Sequence, residues 1–152
     1  MNIETRVYKL LTASDIPNLL NSIRGSVIPE ENGIWKHDIP ETFRKKELAP
    51  FIRINPVYEG DYDYSDDSAM SEEQRVQISY WCKTDTQAYQ IKQMLDDVLK
   101  SNDFTNYTAN ETPRYKDTDI GLLINHRKYR FFDWESEEEN KYGNKNSKNW
   151  VR

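Results

Sequence analysis

The sequence predicts an α+β fold: a mostly antiparallel sheet flanked by two helices, with a long acidic loop and a polar C-terminal tail. Three observations carry that reading. Residues 74–102 read as a buried strand running straight into an amphipathic helix. A second helix signal lies near the N-terminus. Apolar residues nearly vanish after Trp134, so one α+β domain spans 1–134 and a polar tail, expected to be flexible in the isolated protein, spans 135–152.

In the first of these, Val76, Ile78, Tyr80 and Cys82 alternate with Arg75, Gln77 and Ser79. A period of two places each set on its own face of a strand, and Trp81 puts one large aromatic on the second face. Thr84 followed by Gln87 fits a capping box. Ala88, Ile91, Leu95, Val98 and Leu99 then recur at helical spacing beside Met94, with Gln93, Asp96, Asp97 and Lys100 off the stripe. Lys100 suits the negative end of the helix dipole, and Asn102 serves as the stop.

Upstream, Ser14-Asp15-Ile16-Pro17 is a helix start, with Ser14 as cap and Pro17 in the first turn, where a missing N–H costs nothing. Ile16, Leu19, Leu20 and Ile23 form its apolar face and Gly25 ends it. Residues 3–12, with Ile3, Val7, Leu10 and Leu11, either join this helix or form a separate turn before it. Residues 26–50 are irregular, hold Pro29, Pro40 and Pro50, and contain one candidate short strand, 33–36. Phe51–Asn55 is a strand whose ends are marked by Pro50 and Pro56, since proline cannot donate to a ladder.

Residues 58–73 join two strands and are read as an exposed loop that orders on assembly. Between Glu59 and Glu73 there are seven acids (Glu59, Asp61, Asp63, Asp66, Asp67, Glu72, Glu73) and no Lys or Arg. Asp61, Asp63, Asp66 and Asp67 are oxygen donors at close spacing, but a calcium loop started at Asp61 would place Asp66 where glycine is needed. Phe104–Thr108 is a weak strand, 110–119 a turn region with Pro113, and Ile120–Trp134 the last long strand, with a bend near Asn125. In it Leu122 and Ile124 share one face, and Leu123, Tyr129 and Phe131 the other. His126-Arg127-Lys128 with Arg130 is the basic cluster of the chain. Trp150 and Val151 end the polar tail, either as a docking anchor or by chance.

Composition bounds the function. At 152 residues the chain can bury a real core, yet it is 31% charged with a mean hydropathy of −0.96. A net charge of −5 and a pI near 5.1 argue against binding nucleic acid by neutralising phosphates. Ten Tyr and four Trp suit half-wet interface positions as well as a core. The single Cys82 forms no intrachain disulfide; it is either a reactive thiol or a small buried hydrophobe. No apolar run approaches the ~18–20 residues of a membrane span, and the first residues lack the apolar region of a secretory signal. No phosphate-binding glycine loop, nucleophile elbow or metal pattern of His37, His126 and Cys82 is present, so the chain reads as a non-enzyme without cofactor or metal.

The stretch Ser71-Glu72-Glu73-Gln74-Arg75-Val76-Gln77-Ile78-Ser79-Tyr80-Trp81, followed by its amphipathic helix, resembles a family of small tail proteins of long-tailed, non-contractile phages of Gram-positive bacteria, the tail terminators. Pro113-Arg114-Tyr115-Lys116-Asp117-Thr118-Asp119-Ile120-Gly121 and Lys128-Tyr129-Arg130-Phe131 look like that family's closing hairpin. The resemblance covers 10–133 and carries over no site residues. It implies a homohexameric ring at the head–tail junction of the virion, assembled in the host cytoplasm. Such a ring caps the tail tube protein, meets the head connector or stopper protein, and lets DNA pass through its lumen without specific binding. The alternatives are a small cytosolic adaptor or inhibitor of a mobile element, and an acidic-loop metal-binding protein. On the terminator reading the contact residues are the acids Glu59, Asp61, Asp63, Asp66, Asp67, Glu72 and Glu73, the cations Arg127, Lys128 and Arg130, and Trp150. The cluster at 126–130 meets either DNA or a neighbour's acidic loop. Trp35 and Trp81 are candidate aromatic anchors, with a core role equally open for Trp81.

Overall fold

A computed structural model describes residues 1–65, 68–108 and 113–133, with backbone only for 62–65 and 68–70. The tail from Trp134, including Trp150, and the two acids Asp66 and Asp67 lie outside the described residues.

The fold is α+β. Three helices, α1 (Ile3–Ala13), α2 (Ile16–Arg24) and α3 (Asp85–Lys100), cover one face of a six-stranded, mostly antiparallel sheet. The strands are β1 (Ile34–Lys36), β2 (Phe51–Ser65), β3 (Ser68–Cys82), β4 (Thr105–Asn106), β5 (Arg114–Asp117) and β6 (Leu122–Asp133). Their order is β1-β2-β3-β6-β4, and β5 pairs with β6 beside β4's position on the same edge. Only β1 with β2 is parallel.

The N-terminal segment makes two helices, because the chain breaks at Ser14 and Asp15. Ser14 Oγ donates to the Leu11 carbonyl at 2.6 Å and accepts from the Ile16 N–H at 3.1 Å, so one side chain ends α1 and starts α2. Gly25 closes α2 in the left-handed conformation at φ 79°, which glycine adopts without penalty. Thr84 caps α3 as its sequence predicts, accepting from the Gln87 N–H at 3.2 Å. Gln87 reaches back to the N–H of Lys83, one residue beyond the cap. Asn102 Nδ2 satisfies the Val98 carbonyl at the other end.

The helix-side core joins Ile3, Val7 and Leu11 of α1, Leu20 of α2 and Ile91, Leu95 and Leu99 of α3 to Ile52, Ile54, Val76, Ile78, Tyr80 and Tyr129 of the sheet. Cys82 is fully buried in it, and burial pushes its thiol up to about 11. The thiolate is therefore scarce at neutral pH, and the buried-hydrophobe reading of Cys82 holds. A smaller core sits on the opposite face, where Phe51, Trp81, Leu122 and Ile124 pack under Ile39 and Ala49, flanked by Trp35 and Phe43. The two faces of β6 divide as its alternation predicts, but β6 pairs with β3 in unbroken register from Cys82↔Leu123 to Glu72↔Asp133, and Asn125 interrupts nothing.

Arg24 fastens the irregular 26–50 segment, donating to the carbonyls of Leu48 at 2.8 Å and Pro50 at 2.7 Å. Gly33 (φ 82°) permits the close approach there: a β-carbon on it would lie 3.2 Å from Leu20 Cδ1.

Three expectations need correction. Residues 59–65 and 68–73 do not form an open loop. They extend β2 and β3 as a paired ribbon, from Glu59↔Gln74 out to Ser65↔Ser68. Pro56 does not end β2 either; the ladder absorbs it through a bulge between Pro56 and Tyr58, a position where a missing donor is tolerated. Acidic composition hid the strand because pairing there rests on backbone hydrogen bonds and leaves no apolar alternation to read. Residues 114–117, expected as turn, form β5 on the edge of β6.

Candidate interaction face

The helices cover one face of the sheet and the small Trp81 core covers one end of the other. Among the described residues no helix packs on the rest of that second face, called here the open face, and strand register lays it out in rows. Arg53, Ser79 and His126 stand side by side across β2, β3 and β6. The next row is Asn55, Gln77 and Lys128, and the next is Tyr58, Arg75 and Arg130. The same alternation that sends Val76, Ile78 and Tyr80 inward sends these residues outward.

The face is cationic although the chain is acidic. Of Arg53, Arg75, Lys128 and Arg130, two pair with a carboxylate among the described residues, that of Glu73, which lies 2.7 Å from Arg75 and 3.9 Å from Arg130. Arg75 is clamped further by two rings, Tyr58 at 4.6 Å and Tyr107 at 5.4 Å. Its hydrogen bond to Glu73 raises its pKa. Arg53 lies over the Trp81 indole at 5.2 Å, and its buried Nε has no hydrogen-bond partner. Among the described residues neither Arg53 nor Lys128 makes an ion pair.

His126 sits between them. Its Nδ1 is 2.7 Å from Ser79 Oγ and 3.3 Å from Gln77 Nε2, and its Nε2 is 3.0 Å from the Tyr115 hydroxyl. Burial holds its pKa below the ordinary 6.5, and the charges of Arg53 and Lys128 add to that. The imidazole is neutral at pH 7, so the positive charge of the face is that of the Arg and Lys residues. A cavity of about 340 Å³, lined by Asp38, Ile39, Glu41, Arg44 and Arg53, borders this face.

The candidate contact residues are thus sorted by strand parity. Lys128 and Arg130 lie on the open face. Arg127, next to Lys128 in sequence, points to the helices, where its Nη2 lies 2.9 and 3.0 Å from the two Asp96 carboxylate oxygens. Glu73 is buried among the face's own arginines. Glu59 and Asp61 are exposed on the ribbon, and Glu72 accepts from Gln74 Nε2 at 2.6 Å. Asp63 lies in β2, with its side chain outside the described residues. Trp81 is core, 2% exposed; Trp35 stacks on Phe43 with ring centroids 5.4 Å apart.

Sequence reasoning missed Arg53, Arg75 and His126 as members of one face. The signal was present in β3 and β6 as alternation. It needed the register of three strands to bring Arg53, Arg75 and Lys128 together.

Among the described residues no group of three or more His, Cys, Asp or Glu side chains is placed to hold a metal ion, and no helix is long and apolar enough to cross a membrane. No protein-family model matches the chain, and no curated protein matches it.

Proposed function

We propose that the chain is a ring-forming structural subunit of a phage tail, a tail terminator that caps the tube and joins it to the head connector. The observation that carries this reading is the β2–β3 ribbon. Among the described residues no strand pairs with the outer side of β2 from Pro56 onward, along the length of the ribbon. An open strand edge invites a partner. A ribbon of this length fits a subunit whose arm is supported by its neighbour. The local likeness of 71–81, 113–121 and 128–131 to tail terminators supplies the particular assembly.

Light scattering across a concentration series, with and without tube protein, tests the assembly. The expected result is a hexamer, or a monomer that becomes one on adding tube protein. A monomer at every concentration that ignores tube protein contradicts it and favours the adaptor reading.

A further inference from the structure

We infer that the cationic open face is the docking site for the acidic β2–β3 ribbon of a second copy of this chain, in a head-to-tail contact. The inference rests on the ring reading above and adds which surfaces meet.

Charge complementarity carries it. The face gathers Arg53, Arg75, Lys128 and Arg130 against the one carboxylate of Glu73, in a chain whose net charge is −5. Arg53 and Lys128 have no counter-ion among the described residues, and the Arg53 Nε is buried without a partner. The ribbon is the opposite: from Glu59 to Glu73 it holds seven acids and no Lys or Arg. Glu59 and Asp61 are exposed there and make no ion pair among the described residues. Asp61 also stands directly across from Glu72, and Glu72 directly across from Asp133, so three carboxylates share one row of three strands. Like charges directly opposite destabilise a ladder; Arg6 offsets Asp133 at 3.5 Å, whereas Asp61 and Glu72 make no ion pair among the described residues.

Glu73 apart, the described acids of the ribbon do not lie on this face. Strand parity puts Glu59, Asp61 and Glu72 on the helix side of the sheet, whereas Arg53, Arg75 and Lys128 are on the other side. These three acids can therefore meet Arg53 and Lys128 only in a second copy. Because ribbon and face are different surfaces, the contact is heterologous, and repeating it closes a ring or runs on as a filament.

Charge reversal tests this. Arg53→Glu with Lys128→Glu reverses the face; Glu59→Lys with Asp61→Lys reverses the ribbon at exposed positions that the fold does not use. Light scattering is read on each variant, on a 1:1 mixture, and on the combined variant, with circular dichroism confirming the fold. Each reversal alone is expected to raise the concentration for assembly by about tenfold or more, since juxtaposed like charges cost several kcal/mol. The mixture and the combined variant are expected to assemble again, because every face then meets a ribbon of opposite sign. Assembly indifferent to both reversals, or no recovery on mixing, overturns the docking and leaves the ring reading standing. A wild-type monomer at every concentration also overturns it. Loss of binding to duplex DNA or tube protein on face reversal, with self-assembly unchanged, assigns the face to that other occupant and overturns the docking. Assembly that obeys the reversals in a protein that does not stop tube growth keeps the docking and removes the tail reading.

Discussion

Replacing Trp81 with alanine is expected to destabilise the fold by about 3–5 kcal/mol, the usual cost of emptying a core tryptophan site. Trp81 is the largest side chain of the second core. It packs on Phe51 with ring centroids 5.5 Å apart, and its Nε1–H donates to Asp117 Oδ2 at 3.0 Å. Arg44 pairs with that same Asp117 oxygen at 3.1 Å, so Trp81, β5 and the 36–50 segment are fastened at one point. Truncation removes the apolar filling and leaves Asp117 with one partner fewer. Trp81→Phe separates the two contributions: it keeps most of the filling, loses the donor, and is expected to cost about 1–2 kcal/mol. Urea unfolding followed by far-ultraviolet circular dichroism measures both, and equal losses for the two variants would contradict this division.

Asp96→Ala is expected to cost about 3 kcal/mol, because it strips the anion from a nearly buried network. Asp96 on α3 accepts from Arg127 Nη2 at 2.9 and 3.0 Å and from the Tyr129 hydroxyl at 2.6 Å, while Arg127 Nε donates to the same hydroxyl at 3.1 Å. Tyr129 is fully buried, and burial together with its bond to Asp96 pushes its phenol pKa up. This is the polar link between α3 and the centre of the sheet. Without Asp96 the Arg127 charge is left inside with the Tyr129 hydroxyl but no counter-ion among the described residues. Asp96→Ala combined with Arg127→Met removes both charges and is expected to recover a large part of the loss, so the two changes are strongly non-additive. Additive losses in the same unfolding assay would show that the network contributes little beyond its separate groups.

The helices and the faces of the central strands were legible because burial imposes a period. Val76, Ile78, Tyr80 and Cys82 could only be one face of a strand, and Ala88, Ile91, Leu95 and Leu99 only one stripe of a helix. Trp81, out of phase, put one large aromatic on the second face, and alternation left open whether it served as a core residue or an interface anchor. The ribbon was not legible, since Glu59, Asp61 and Glu72 face water and strand pairing there rests on backbone hydrogen bonds rather than an apolar pattern. Pro56 misled for a related reason: a bulge satisfies the ladder around it, and bulges leave no composition signal. The basic cluster was read as a run of neighbours, although alternation separates Arg127 from Lys128 and Arg130. What alternation alone could not supply is the register that sets Arg53 beside Ser79 and His126, because it joins residues far apart in the chain.

The ring reading is tested most directly on polymerising tail-tube protein. Tube protein is allowed to polymerise with and without this chain, and tube ends and lengths are scored by negative-stain electron microscopy. The account predicts short tubes carrying a ring of this protein at one end, with growth stopped at about one ring of subunits per tube. Tubes of unchanged length with bare ends, at a concentration where the protein is folded and assembled, would contradict it.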